Sequence, residues 1–234
     1  IVIIIFSFPQ MSLGQHYTPE EIQLEKMLIE SSREKFLQNY EKAIAILEQA
    51  IKLDENNAAV AFELGKLYTQ RGDNEHSVKM LKKAVDLEGD NQWYVKELLE
   101  VYRQTGRYED ALILCEKLVD DNPYNKNYYY DLAWYNTVLN KFSKAIKVYD
   151  KMENKFGYND QIATRKHRLY LVSGDKKKAE KEYIRLTSKN PDNIDYKFLL
   201  SQFYENQGDK NNANKIYNEI LTMDPENPEA TMAL

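Results

Sequence analysis

"AFELGKLYTQRGDNEHSVKMLKKAVDLEGDN", residues 61–91, holds two apolar stripes of helical period with one glycine between them. Ala61, Leu64, Gly65 and Tyr68 follow three-and-four spacing, and Ser77, Leu81, Ala84 and Leu87 resume it after Gly72. A glycine at that break tolerates the positive φ with which many helices end, so a second helix can start within a few residues. The stretch predicts a helical hairpin.

The hairpin recurs along the chain. A small residue stands at Ala43, Ser77, Ala111, Ala145, Ala179 and Ala213, at a constant step of 34 residues. The same step aligns Leu64, Leu98, Leu132 and Leu200, then Tyr68, Tyr102, Tyr170 and Tyr204, and then Gly72, Gly106, Gly174 and Gly208. Pro123, Pro191 and Pro225 keep it too, each after an Asn or Asp, where a missing N–H ends one helix before the next. A small side chain lets two helices approach closely, and overfilling such a contact costs about 1–3 kcal/mol. A single hairpin cannot bury both faces, so successive units must stack.

Residues 61–91, together with "YYDLAWYNTVLNKFSKAIKVYDK" at 129–151, resemble tetratricopeptide repeats. The resemblance covers five units, 58–91, 92–125, 126–159, 160–193 and 194–227, after an atypical first unit at 24–57 and before the start of another at 228–234. It implies an all-α fold, a right-handed superhelical solenoid of antiparallel helix pairs. The first unit has Glu30 and Glu34 where Leu and Tyr are expected, so its first helix reads as a cap. Residues 15–23 are then a linker and the start of that helix, with Thr18 of "TPEE" as the capping acceptor. The fifth unit is the least regular: Lys166 replaces a core leucine, and His167 shares a column with Gly65, Leu99, Ala133 and Ser201. "DKKKAEKEY" (175–183) reads as a solvated second helix.

Composition excludes several classes. The chain has 234 residues, 43% of them hydrophobic and 29% charged, which describes a globular protein rather than a disordered one. With 32 Lys+Arg against 37 Asp+Glu it lacks the basic surplus that phosphate neutralisation demands, and nucleic acid is not an expected partner. Its N-terminal "IVIIIFSF" is apolar but far shorter than the ~20 residues of a membrane-spanning helix. Followed by Ser12 and Gly14, it reads as a signal peptide at 1–14, truncated at its start and cut before Gln15. The expectation is an exported chain in the periplasm or cell envelope, with a cytoplasmic protein as the alternative.

No cofactor or metal is expected. The three histidines (His16, His76, His167) are far apart, and none has a second ligand at helical spacing. Cys115 falls in the column of Leu81, Tyr149, Tyr183 and Tyr217, a core position that leaves a thiol inert. The glycines are dispersed at helix ends rather than gathered in a phosphate loop, and the carboxylates read as solvated charges with no closed pocket to shift them. The chain is expected to have no catalytic activity.

The aromatic-rich "NYYYDLAWYN" (127–136) points to a different use. By phase, Tyr129, Leu132, Ala133 and Asn136 face the unit's own second helix, and Tyr128 and Tyr135 face a neighbour. Tyr130 and Trp134 are left over, side by side on the exposed face. In the family, the second, fifth, ninth and twelfth places of each unit line a concave groove that binds partner segments. The resemblance puts Phe62, Trp93, Tyr130 and Trp134 there, with Lys66, Lys96, Arg165 and Arg168 around them and Glu63, Glu97, Glu100 and Asp131 interspersed. The family's clamp for a C-terminal carboxylate is not matched: Lys96 and Arg165 fit, but Glu100 and Asp131 replace its asparagines and Gln161 replaces a lysine. The expected partner is a protein or peptide segment of another kind. The chain then reads as a scaffold in cell-envelope assembly, with a targeting arm of a larger enzyme or a cytoplasmic adaptor as alternatives.

Overall fold

A computed structural model describes residues 18–234, so the expected signal peptide and its cleavage site lie outside the described residues. Every regular element among these residues is a helix. They fall into two compact units, one ending at Arg107 and one beginning at Tyr108. In the first, α1 (Pro19–Phe36), α2 (Tyr40–Leu53), α3 (Ala58–Arg71), α4 (Asn74–Leu87) and α5 (Gln92–Gln104) each pack on the next. In the second, the same holds for α6 (Tyr108–Asp121), α7 (Lys126–Val138), α8 (Phe142–Phe156), α9 (Asp160–Val172), α10 (Lys176–Lys189), α11 (Ile194–Asn206), α12 (Lys210–Met223) and α13 (Pro228–Ala233). Connections this short force consecutive helices to run antiparallel.

Each helix start has a local cause. Asn57, Asn91, Asn125, Asn159, Asn193 and Asn227 recur at the repeat step, and each side chain accepts a hydrogen bond from a backbone N–H of the first turn that follows. Asp73, Asp175 and Asp209 do the same for α4, α10 and α12. Thr18 caps α1 in a reciprocal box with Glu21, as the sequence leads one to expect. The turn inside each hairpin is equally regular. Gly72, Gly106, Gly174 and Gly208 have φ between 70° and 82°, and the non-glycine occupants of the same column, Gln38 and Asn140, adopt 62° and 56°. The left-handed residue is therefore a property of the repeat. Asn140 meets it at small cost, whereas Gln38 bears the strain a β-carbon brings there.

The recurring small residues are all in the core, from Ala43 at 0% exposure to Ala213 at 1%. Ser77 is accommodated there because its hydroxyl shares a 2.7 Å hydrogen bond with Thr69. Gly65 packs tightly on α4, since a β-carbon there would lie 2.7 Å from Leu81 Cγ. Helix α1 packs on the α2–α3 core through Leu24, Met27 and Leu28, and Ser31 is its one buried residue. Glu30 is exposed and Glu34 half-buried, its carboxylate accepting from Asn39.

Candidate partner-binding surface

Helix α7 sorts its rings as the repeat phase requires. Tyr128, Tyr129, Leu132, Ala133, Tyr135 and Asn136 are buried. The Tyr129 hydroxyl donates to the Pro123 carbonyl at 3.0 Å, so its burial leaves that donor satisfied. Tyr130 stays half-buried and Trp134 is 39% exposed. Trp134 is held edge-on by Tyr108 at 6.2 Å and Tyr135 at 4.8 Å, which orients the partly exposed indole. Arg165 of α9 lies over the Tyr130 ring, 5.6 Å from its centre, and also bonds the Tyr149 hydroxyl. Burial raises the Tyr149 phenol and Arg165 works against that rise. Arg168, one turn further along α9, is exposed. This part of the second unit thus sets the Arg165 guanidinium on Tyr130, with the partly exposed Trp134 one turn further along α7.

The other four expected residues lie in the first unit. Phe62 is half-buried, its ring 4.5 Å from that of Tyr94, and Lys66 sits over it at 5.0 Å while pairing with Glu63 at 3.2 Å. Glu63 also pairs with Lys35 at 2.8 Å; burial pushes its carboxyl up, and the two lysines together hold it below its ordinary value. Phe62 and Lys66 are therefore largely engaged within the unit. Trp93 is 74% exposed and Lys96 is exposed beside it on α5. Of the four, Trp93 presents the most free apolar area.

Two sequence expectations need correction in the second unit. Glu182, inside the stretch read as solvated, is 8% exposed, and the Glu153 side chain is 9% exposed. Both surround Lys166, which sits in the leucine column with 5% exposure. Its ammonium pairs with Asp150 at 2.8 Å, Glu153 at 3.0 Å and Glu182 at 2.7 Å, and Arg185 reaches Glu153 at 2.9 Å. Burial works against the charge of Lys166, and the hydrogen bonds to Asp150, Glu182 and Glu153 overcome it and hold the group well above its ordinary range. A closed pocket is thus not required to shift an ionisable group: the α8–α9–α10 contact does it. The signal was present in the sequence. Glu182 falls in a column that otherwise reads Ile46, Met80, Leu114, Val148 and Ile216, and Glu153 in one of Ile51, Val85, Val119, Thr187 and Leu221.

His167 follows the same logic of local compensation. It is buried, its ring stacks on Tyr183 at 3.5 Å, and Nδ1 lies 2.9 Å from the Ala179 carbonyl. A carbonyl oxygen only accepts, so Nδ1 is the donor in this bond. Cys115 is buried, and burial, with Asp131 and Glu116 adding to it, raises its thiol far from the reactive range. Among the described residues no group of three or more His, Cys, Asp and Glu is placed to hold a metal, and no helix is long and apolar enough to cross a membrane.

Stacked helix hairpins with capped starts, left-handed turns and a small-residue contact make the described residues an all-α helical-repeat fold. Tetratricopeptide repeat family models match residues 37–93 and 194–227, and neither describes an enzyme. The chain is similar in structure to Naa15/Naa10 bound to HypK-THB, with a TM-score of 0.72 and 17% identity, over 93% of this chain and 34% of that one. It is also similar to a tetratricopeptide repeat protein from Parabacteroides merdae ATCC 43184 (TM-score 0.54, 17% identity, 86% of this chain and 80% of that one). A third likeness is to MamA from Desulfovibrio magneticus RS-1, residue 41 to the end (TM-score 0.50, 17% identity, 71% and 94%). The chain spans about a third of the length of the first of these, 34%. No curated protein matches it. At such identities the likeness carries the fold alone.

Proposed function

We propose that the chain is a non-catalytic scaffold that binds a protein or peptide segment on the face presented by the first helix of each hairpin. The observation that carries this reading is the division of α7: six of its residues are buried in the repeat core, while Tyr130, beneath Arg165, and Trp134 are only partly covered. Preorganised aromatic area of this kind is what binding hot spots use, because it supplies apolar contact at low rotamer cost. Arg168 adds to that face, and Trp93, Lys96, Phe62 and Lys66 occupy the matching first-helix positions of the first unit. The structurally similar Naa15/Naa10 is bound to HypK-THB, which supports the reading by analogy of fold.

The apolar run at 1–8 followed by Ser12 and Gly14 supports export to the periplasm or cell envelope, where the scaffold would serve complex assembly. Partner capture from an envelope extract tests both parts, with the wild-type chain beside a Tyr130→Ala/Trp134→Ala variant of unchanged helicity. A protein retained by the wild type and lost by the variant supports the site. Equal retention by both removes the two rings from the binding surface. A mature N-terminus found near Gln15 supports export, and an intact Ile1 in cell extracts contradicts it.

A further inference from the structure

Between α2 and α4, the second helices of the first two hairpins, lies an open groove of about 500 Å³. Its size falls within the range of ligand-binding clefts, about 300–1,000 Å³. The apolar part of its lining is Ile51 and Met80, both half-buried and packed on the α2–α3 core, and Leu87, which is 38% exposed. Met80 and Leu87 are seven residues apart, two helical turns, so they share one side of α4 and form a strip. The groove is separate from the face proposed above, because Phe62, Trp93, Tyr130 and Trp134 all stand on first helices.

The charges around the strip select the occupant. Lys52 lines the groove from α2, and Lys79, Lys82 and Lys83 line it from α4, with Glu55 and Asp86 as the acids of the lining. Four ammonium groups against two carboxylates leave an excess of two positive charges, in a chain whose net charge is -5. None of the four lysines has an ion pair or a hydrogen bond among the described residues. Lys79 lies three residues before Lys82 and four before Lys83, so like charges are neighbours on the helix surface, a repulsion that an arriving carboxylate relieves. We propose that this groove docks an acidic amphipathic segment of a partner protein, its apolar side chains on Ile51, Met80 and Leu87 and its carboxylates on the lysines. Other polyanions fit it less well. A flat lipid surface reaches Lys52, Lys79 and Lys82, which are exposed, but not the recessed Ile51 and Met80. A single-stranded nucleic acid finds no aromatic ring in the lining on which to stack a base.

The test is fluorescence anisotropy of the 234-residue chain with a labelled amphipathic peptide that carries Leu on one face and Glu on the other. Two control peptides have Lys in place of Glu and Ser in place of Leu. The proposal expects the Leu/Glu peptide to bind with a Kd of about 0.1 mM or below, as suits a contact smaller than a stable interface, and the controls to bind at least about tenfold more weakly. Binding is expected to weaken as ionic strength rises from about 0.01 to about 1 M, over which the Debye length falls from about 30 to about 3 Å. Lys79→Glu/Lys83→Glu on α4 is expected to cost about fivefold or more, and Lys52→Glu on α2 about twofold or more, with helicity unchanged by circular dichroism. Tyr130→Ala/Trp134→Ala is expected to bind the peptide as wild type does. A peptide that binds equally well after Lys79→Glu/Lys83→Glu, or that loses binding in Tyr130→Ala/Trp134→Ala instead, would overturn the proposal. So would no binding up to about 1 mM, and so would vesicles of phosphatidylglycerol and phosphatidylcholine that bind through the same lysines when the peptide does not.

Discussion

Replacing Lys166 by leucine restores the residue type of its column, yet it is expected to destabilise the protein. The substitution removes the ammonium that pairs with Asp150, Glu153 and Glu182, and leaves two carboxylates whose side chains are 9% and 10% exposed. Breaking a buried pair from one side typically costs 3–5 kcal/mol, because the remaining charge stays buried. Arg185 still reaches Glu153 at 2.9 Å and Glu182 at 3.5 Å, which places the expected loss at the low end, about 3 kcal/mol. The double variant Lys166→Leu/Glu182→Ile behaves differently. It places in both columns what the other hairpins carry there and leaves Glu153 with Arg185, so it is expected to be as stable as wild type or more so. The resulting coupling energy, about 3 kcal/mol, is read from a double-mutant cycle in urea followed by far-UV circular dichroism. Slopes as well as midpoints are compared, since stacked repeats can unfold stepwise. A single variant within about 1 kcal/mol of wild type, or a double variant as unstable as the two single losses added together, would refute the argument.

Two further predictions concern the helix contacts. Burial holds the His167 imidazole below 6.5, with Arg168 deepening the depression and the Ala179 carbonyl opposing it. The unfolded chain takes up a proton near 6.5 that the folded chain refuses, so this group's contribution to stability is lost as pH falls through 6.5 toward the folded value. The melting temperature is expected to drop from pH 7.5 to 5.5, and to drop less in His167→Asn; equal slopes would contradict this. Gly65→Ala gains about 1 kcal/mol of helix propensity but drives a β-carbon to 2.7 Å from Leu81 Cγ, and overpacking of that size costs about 1–3 kcal/mol. A net loss of about 1 kcal/mol is expected in chemical denaturation, and a gain would show that Leu81 yields freely.

The helix hairpins were legible because two periods reinforce each other: the apolar spacing within Ala61–Leu87 and the step of 34 residues between units. Within the aromatic cluster the same phase separated Tyr129 from Tyr130. Other features were hidden by being read as residue types rather than as columns. The asparagines at Asn57 to Asn227 look like ordinary loop residues until their step is noticed and each is seen to cap a helix. Glu153 and Glu182 look solvated because carboxylates usually are, and only their apolar columns and the cation at Lys166 make a buried cluster intelligible. Gln38 and Asn140 likewise lack the glycine that signals a left-handed turn, yet the hairpin geometry holds them in it. The contacts of Phe62 with Tyr94 and Lys66 follow from packing that no spacing rule contains.

The most direct test of the interaction role is titration calorimetry of a partner recovered by the wild-type chain, purified, against wild type and Tyr130→Ala/Trp134→Ala. If the face of α7 is the binding site, the affinity of the double variant falls by at least about 2 kcal/mol, roughly thirtyfold, with helicity unchanged. An affinity within about twofold of wild type would mean that these rings only pack, and that the partner is held elsewhere on the chain.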